Sequence, residues 1–266
     1  MTNLSASAQI IGVFDSGVGG LSVLKAIRRE HPAVDFIYIA DSGNAPYGSR
    51  STKFIESRAS HIAGALVLAG AQIIVVACNT ATAVAVEKLR AQLAVPVVAM
   101  EPAIKPAVAH TKTGVVGVLA TERTLESQAV ARLCREFGQS VKLLLQPCPG
   151  LVELVERGEL SSAFTHEYLR NLISPLLVQG ADTIVLGCTH YVFLESVIRN
   201  IVGPGVQIIE SSAAVARQTM RYLGSEKSCG LNESAGREMF LTTGSPENAQ
   251  AIFSQLWGAP VKVRAL

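Results

Sequence analysis

The chain has few of the features that mark secreted, membrane, nucleic-acid-binding or disulfide-framework proteins. Its opening "MTNLSASAQ" has neither a basic n-region nor an apolar h-region, so a loose polar tail is expected there rather than a secretory signal. Lys and Arg form no run. The 23 basic and 21 acidic residues leave a formal charge of +2, and neither nucleic acid nor a membrane surface is an expected partner. No apolar stretch is clean enough to span a bilayer. The best candidate, "IAGALVLAGAQIIVVAC" at residues 62–78, is interrupted by Gly70 and Gln72 and becomes β-branched after the break, which predicts a core helix turning into a buried strand. Five widely spaced cysteines without a CxxC pair make no disulfide framework and suit a reducing cytoplasm. The pattern GxxxxGK[ST] is missing, which argues against an ATP-binding P-loop. No pyridoxal phosphate signature marks a Schiff-base lysine.

What is present is an ordinary globular composition over 266 residues, 49% hydrophobic and 17% charged, enough for one large or two modest domains. Short Val- and Ile-rich runs recur at "IIGVF", "DFIYIA", "IIVVA", "VPVVA", "GVVGVL", "VKLLL", "TIVLG", "VQIIE" and "EMFLTT". Amphipathic segments such as "LSVLKAIRREH", "TAVAVEKLRAQL" and "SQAVARLCREFG" separate most of them. Strand alternating with helix predicts an α/β fold of parallel sheets covered on both faces. A boundary is expected at "AMEPAIKPAV", residues 99–108, where two prolines precede a fresh strand-like run at Gly114.

Two cysteines stand apart. Cys78 in "IIVVACNTAT" and Cys188 in "TIVLGCTH" each follow an apolar run and precede hydroxyl or amide side chains, late in the first and second halves of the chain. The likeness of the two strings hints at an internal repeat. If the halves are related by a two-fold axis, the thiols face each other across a cleft at strand carboxyl ends, where open parallel sheets bind ligands. A helix N-terminus beside such a thiol is expected to lower its pKa from about 8.5. Cys134 reads as a helix-packing thiol, and Cys148 and Cys229 as incidental. Two further turns belong with the pair. "FDSGVGG" leads from a strand into a helix, with glycines that let backbone N–H groups approach an anion and with Asp15 or Ser16 as the expected N-cap. "ADSGNAPYG" follows the second strand, where Asp41 could cap the next element.

Three chemistries could use this set. A zinc site of Cys78, Cys188, His190 and Asp15 lacks any known ligand cadence, and no metal is expected. A cysteine nucleophile with His190 as base leaves the second thiol without a role. Two thiols acting as acid and base on opposite faces of one carbon use both, and invert the stereocentre.

The motifs "FDSGVGG", "ADSGNAPYG", "ACNTAT", "EPAIKPA", "VLATERT" and "LGCTHY", in that order, resemble the glutamate racemases of the cofactor-independent aspartate/glutamate racemase superfamily. The resemblance covers essentially the whole chain beyond the first nine residues. It implies interconversion of L- and D-glutamate for peptidoglycan without a cofactor. Cys78 would take the α-proton of D-glutamate with Asp15 assisting, and Cys188 that of L-glutamate with His190 assisting. It further implies substrate-binding pairs at Asp15-Ser16, Tyr47-Gly48, Asn79-Thr80 and Thr189-His190, with Asp41, Glu156 and Thr121 in support. It implies two pseudo-symmetric α/β domains: residues 1–99 with 210–266 as the first, and 100–209 inserted as the second. A homodimer is also implied. One departure is Val192, which stands after "GCTHY" where the family commonly has proline; a proline would preset the helix start, so a change in rigidity beside His190 is expected.

Overall fold

A computed structural model describes residues 9–223 and 235–266; Cys229 and the N-terminal tail lie outside the described residues. Among the described residues there are ten strands: β1 (Ile10–Asp15), β2 (Asp35–Ala40), β3 (Ile73–Val76), β4 (Val97–Val98), β5 (Val115–Ala120), β6 (Lys142–Pro147), β7 (Thr183–Leu186), β8 (Gln207–Ile209), β9 (Glu238–Thr242) and β10 (Val263–Ala265). They form a six-stranded sheet in the order β10-β9-β2-β1-β3-β4 and a four-stranded sheet in the order β6-β5-β7-β8. All pairings are parallel. β5 to β8 therefore repeat the order β2-β1-β3-β4, with the first strand of each set beside the second and third.

Side-chain character explains which strands sit where. β1, β2, β3 and β7 are buried along their whole length, as expected of apolar strands covered by helices on both faces. β6 and β8 at the rims of their sheet are partly exposed. All nine apolar runs form strands. β10 is not among them, because "VRA" is three residues long with a charge at its centre, and only Val263 is buried at the sheet edge.

Residues 62–78 resolve as the end of the helix Thr52–Leu68, a turn, and then β3. Gly70 makes that turn at φ +95, a conformation that side-chain-bearing residues rarely adopt. Among the described residues no helix is long and apolar enough to cross a membrane. The helix Leu21–Glu30 buries Leu21, Val23, Leu24, Ala26 and Ile27, and ends with Arg28 and Arg29 against its negative pole. One cluster of buried side chains runs from this helix through Val18, Leu151, Val155 and Tyr191 into the second lobe, so the lobes share apolar packing as well as a cleft.

Candidate active site

The sheet register brings the predicted residues to one level. Asp15 ends β1 opposite Ala40, and the Asp41 N–H donates to the Asp15 carbonyl at 2.9 Å. Beyond β3, the Ala77 N–H reaches the Phe14 carbonyl at 2.8 Å; beyond β7, the Gly187 N–H reaches the Leu119 carbonyl at 2.7 Å. Each extension delivers a cysteine two residues past its strand. The backbone angles nearly coincide, φ −143 and ψ 118 at Cys78 against φ −143 and ψ 136 at Cys188. Both thiols are buried and free.

The segments that the two thiols open are unlike. Cys78 caps the α-helix Asn79–Gln92, its Sγ accepting from the Ala81 N–H at 3.4 Å. Cys188 leads instead into a 3₁₀ segment, Thr189–Leu194, and caps nothing through its sulfur. From that tighter coil Thr189 reaches the first lobe, its hydroxyl donating to Asp15 Oδ2 at 3.0 Å. His190 Nε2 meets Glu156 Oε1 at 2.7 Å, and its Nδ1 lies 3.8 Å from Cys188 Sγ. Burial pushes the imidazole pKa down, but hydrogen bonds to Cys188 and Glu156 and the charge of Asp15 outweigh it and hold His190 well above its ordinary value. As an imidazolium it donates to Glu156. The Gly19 N–H approach to the same nitrogen at 3.3 Å is then packing rather than a hydrogen bond.

The structure corrects two expectations about charge and capping. Neither Asp15 nor Ser16 caps the first helix; Gly20 occupies that position, without a side-chain bond. Asp15 instead accepts from the Ser16 N–H at 2.5 Å and its Oγ at 3.1 Å, and its pKa is raised by complete burial, with His190 opposing. The Cys78 pKa does not fall at its helix N-terminus. It rises well above the ordinary value, because burial and the Asp15 charge outweigh the Ala81 N–H.

The other residues predicted from the resemblance lie around this centre. Ser16 Oγ is 3.8 Å from Cys78 Sγ. Thr80 Oγ1 approaches Thr121 Oγ1 at 3.0 Å and Thr124 Oγ1 at 3.3 Å, so hydroxyls of the two lobes meet. Asn79 is buried, and neither end of its amide has a protein partner among the described residues. Asp41 and Tyr47 are buried, with the Tyr47 hydroxyl donating to Asp41 Oδ2 at 2.5 Å. Gly48 packs so closely on Thr121 that an added Cβ would lie 3.3 Å from its Cβ. Glu156, which as a helical glutamate reads most simply as a solvated side chain, accepts from the Val18 N–H at 2.8 Å as well as from His190. Asp41 caps nothing through its side chain, which is engaged elsewhere.

Sequence reasoning missed Tyr38, whose hydroxyl donates to the Gly17 carbonyl at 2.6 Å and pins the glycine turn from inside the sheet. Nothing in "DFIYIA" distinguishes it from a core residue. Cys148, incidental by its sequence context, lines a cavity of about 110 Å³ with Pro46 and Gly48 from one lobe and Thr121 and Gly150 from the other. Burial pushes its pKa up to about 12, which leaves it an unreactive thiol. Among the described residues no three His, Cys, Asp or Glu side chains group as metal ligands would.

Two α/β lobes each present a thiol at the end of a third strand, an arrangement that suits an isomerase of the amino-acid racemase class. The chain belongs to the Asp/Glu/Hydantoin racemase family, whose profile matches residues 11–219. It is 48% identical over 256 residues to a glutamate racemase of Methylococcus capsulatus, covering 96% of this chain and 94% of that one. Among solved structures it is similar to a glutamate racemase isoform of Bacillus anthracis, with TM-score 0.86, 32% identity and 97% of both chains covered. It is also similar to the Escherichia coli glutamate racemase in complex with L-glutamate and the activator UDP-MurNAc-Ala, with TM-score 0.84, 30% identity and 97% coverage of both chains.

Proposed function

We propose that the chain interconverts L- and D-glutamate by proton transfer between two thiols, without a cofactor, and supplies D-glutamate for peptidoglycan. One observation carries the reading: the two thiols occupy equivalent places in two sheets that share a four-strand order, each with its own polar partner. The glutamate racemases of Methylococcus, Bacillus and Escherichia to which the chain is similar support glutamate as the substrate.

From L-glutamate, the Cys188 thiolate takes the α-proton, and the electron pair of the broken C–H bond moves toward the α-carboxylate. The Cys78 thiol returns a proton to the opposite face. D-glutamate leaves a Cys78 thiolate and a Cys188 thiol, so the sulfurs have exchanged roles. Burial and Asp15 hold Cys78 as the thiol, the form this direction requires. The His190 imidazolium faces Cys188 and is placed to give a proton to its thiolate, and the neutral imidazole left behind can take one back; Asp15 is placed to exchange a proton with Cys78. A positioned general base supplies typically about 10²- to 10⁴-fold. Orientation and hydrogen bonds to the charge building on the carboxylate supply the rest. The unpartnered Asn79 amide, the hydroxyls of Thr80 and Thr189, and the turn at Tyr47-Gly48 are the groups offered to the two ends of the amino acid.

We read residues 1–99 with 210–266 as one domain and 100–209 as its insert, which the return of β9 and β10 to the first sheet supports. We also read the protein as a cytoplasmic homodimer, on the family resemblance; sedimentation measures its assembly state.

The test is incubation of each enantiomer in deuterated water. Inversion accompanied by deuterium at Cα is expected, and its loss in both Cys78→Ser and Cys188→Ser. Inversion without exchange, or a wild-type rate in either serine variant, sinks the reading. Aspartate run in parallel fixes the side-chain preference.

A further inference from the structure

We propose that Arg58 is a positioning residue for the reaction, holding the Tyr47-Gly48 turn at the substrate through the buried carboxylate of Asp41. This rests on reading that turn as part of the glutamate site. Arg58 lies in the helix Thr52–Leu68, half-buried between exposed Ser57 and buried Ala59. Its guanidinium reaches the carboxyl end of β2 and grips Asp41 with both prongs, Nε to Oδ2 at 2.9 Å and Nη2 to Oδ1 at 2.7 Å. The paired-fork geometry is the strong form of this contact.

Asp41 is fully buried, and the rest of its capacity is filled from three directions. Asn44 Nδ2 donates to Oδ1 at 2.9 Å, the Thr243 hydroxyl to Oδ1 at 2.7 Å, and the Tyr47 hydroxyl to Oδ2 at 2.5 Å. One carboxylate thus ties together the loop after β2, the loop after β9 and the turn that ends on Gly48. Arg58 brings the only formal positive charge among these donors. Without it, a buried anion would rest on neutral groups alone, and taking up a proton would turn an acceptor oxygen toward donation. The Tyr47 bond would then be in competition. Tyr47 leads directly into Gly48, which packs on Thr121 of the other lobe with room for no larger residue unless Thr121 yields. A small shift at Asp41 is therefore delivered at the face where substrate and second lobe meet. The hydrogen bonds from Arg58 and its neighbours outweigh burial and keep Asp41 below the usual carboxylate range, as a permanently charged hub requires.

A residue that merely fastened a helix to the sheet would change melting temperature and leave substrate affinity alone. Steady-state kinetics with both enantiomers, beside thermal melts, separate the roles. In Arg58→Gln, KM is expected to rise about tenfold for both enantiomers, with kcat held within about threefold. In Arg58→Lys, which keeps the charge and loses the fork, a rise of about threefold in KM is expected. A lowered melting temperature with wild-type KM in both variants overturns the assignment. So does a fall in kcat at constant KM. Should the glutamine variant fail to fold, Arg58→Lys decides alone: a raised KM supports the role, and a wild-type KM ends it. Absence of racemisation in the unaltered protein would instead remove the functional reading on which the assignment rests.

Discussion

On the proposed mechanism, Asp15 is a single side chain both costly to the fold and needed by the site. It is fully buried, its pKa is raised above the ordinary value by that burial, and its partners are two groups from Ser16, one hydroxyl from Thr189 and the Cys78 thiol. A carboxyl raised in the folded state opposes folding wherever the unfolded chain has already lost that proton, which is above about pH 4. Asp15→Asn keeps an acceptor for the Ser16 N–H and removes the buried charge. Its melting temperature at neutral pH is expected to equal or exceed that of the wild type, and any advantage should fade below about pH 4, where both states hold the proton. Racemisation is expected to fall by about 10²-fold or more, since the proton-handling neighbour of Cys78 is gone. Melts across pH together with one activity assay check both halves.

The glycine turn between β1 and its helix is constrained as a whole element by the same site. None of Gly17, Gly19 and Gly20 has the positive φ that glycine alone favours. They are small because other groups come close. A Cβ on Gly17 would lie 1.8 Å from Glu156 Oε1, and one on Gly19 would lie 2.2 Å from His190 Nδ1. Gly17→Ala should therefore push the flexible Glu156 carboxylate off His190 and behave like Glu156→Gln. Both are expected to lower kcat/KM by roughly 10- to 10²-fold. His190 has a raised folded-state pKa, so its ion pair stabilises fully below about pH 6.5 and is lost as pH rises through the higher folded value. Both variants should flatten that alkaline decline in melting temperature; a decline as steep as the wild type's would show Glu156 to be a bystander.

This turn also marks where the sequence stops being readable. Strands buried on both faces, and thiols placed where strands end, are legible in apolar runs and the residues that interrupt them. The role of Arg58 is not, and that of Glu156 comes only from the family resemblance, because a charged residue on a helix looks the same whether it faces water or reaches a buried partner 34 or 17 positions away. The direction of the Cys78 shift is hidden for a related reason: the favourable N–H is local, whereas burial and the Asp15 charge come from tertiary packing.

At the scale of the molecule, the lobes touch at the cleft through three hydroxyls, Thr80 from one side and Thr121 and Thr124 from the other. Thr121→Val keeps the shape and removes the shorter of the two hydroxyl bonds from Thr80, leaving the 3.3 Å contact with Thr124. A net hydrogen bond is worth about 1 kcal/mol, so KM is expected to rise roughly fivefold. Slower inversion with unchanged KM would place Thr121 in the chemistry rather than in closure.

The repeated strand order stops short of true symmetry. The first strand of one lobe ends in Asp15, its counterpart β5 ends in Ala120, and only the second lobe carries an imidazole beside its sulfur. Mirror-image substrates have equal free energies, so kcat/KM must be identical in the two directions whatever the enzyme does. Nothing imposes that equality on kcat or KM separately. On the proposed mechanism, two unlike proton carriers on the two sides of the carbon imply an enzyme that saturates sooner with one hand of glutamate and turns the other over faster, by the same factor.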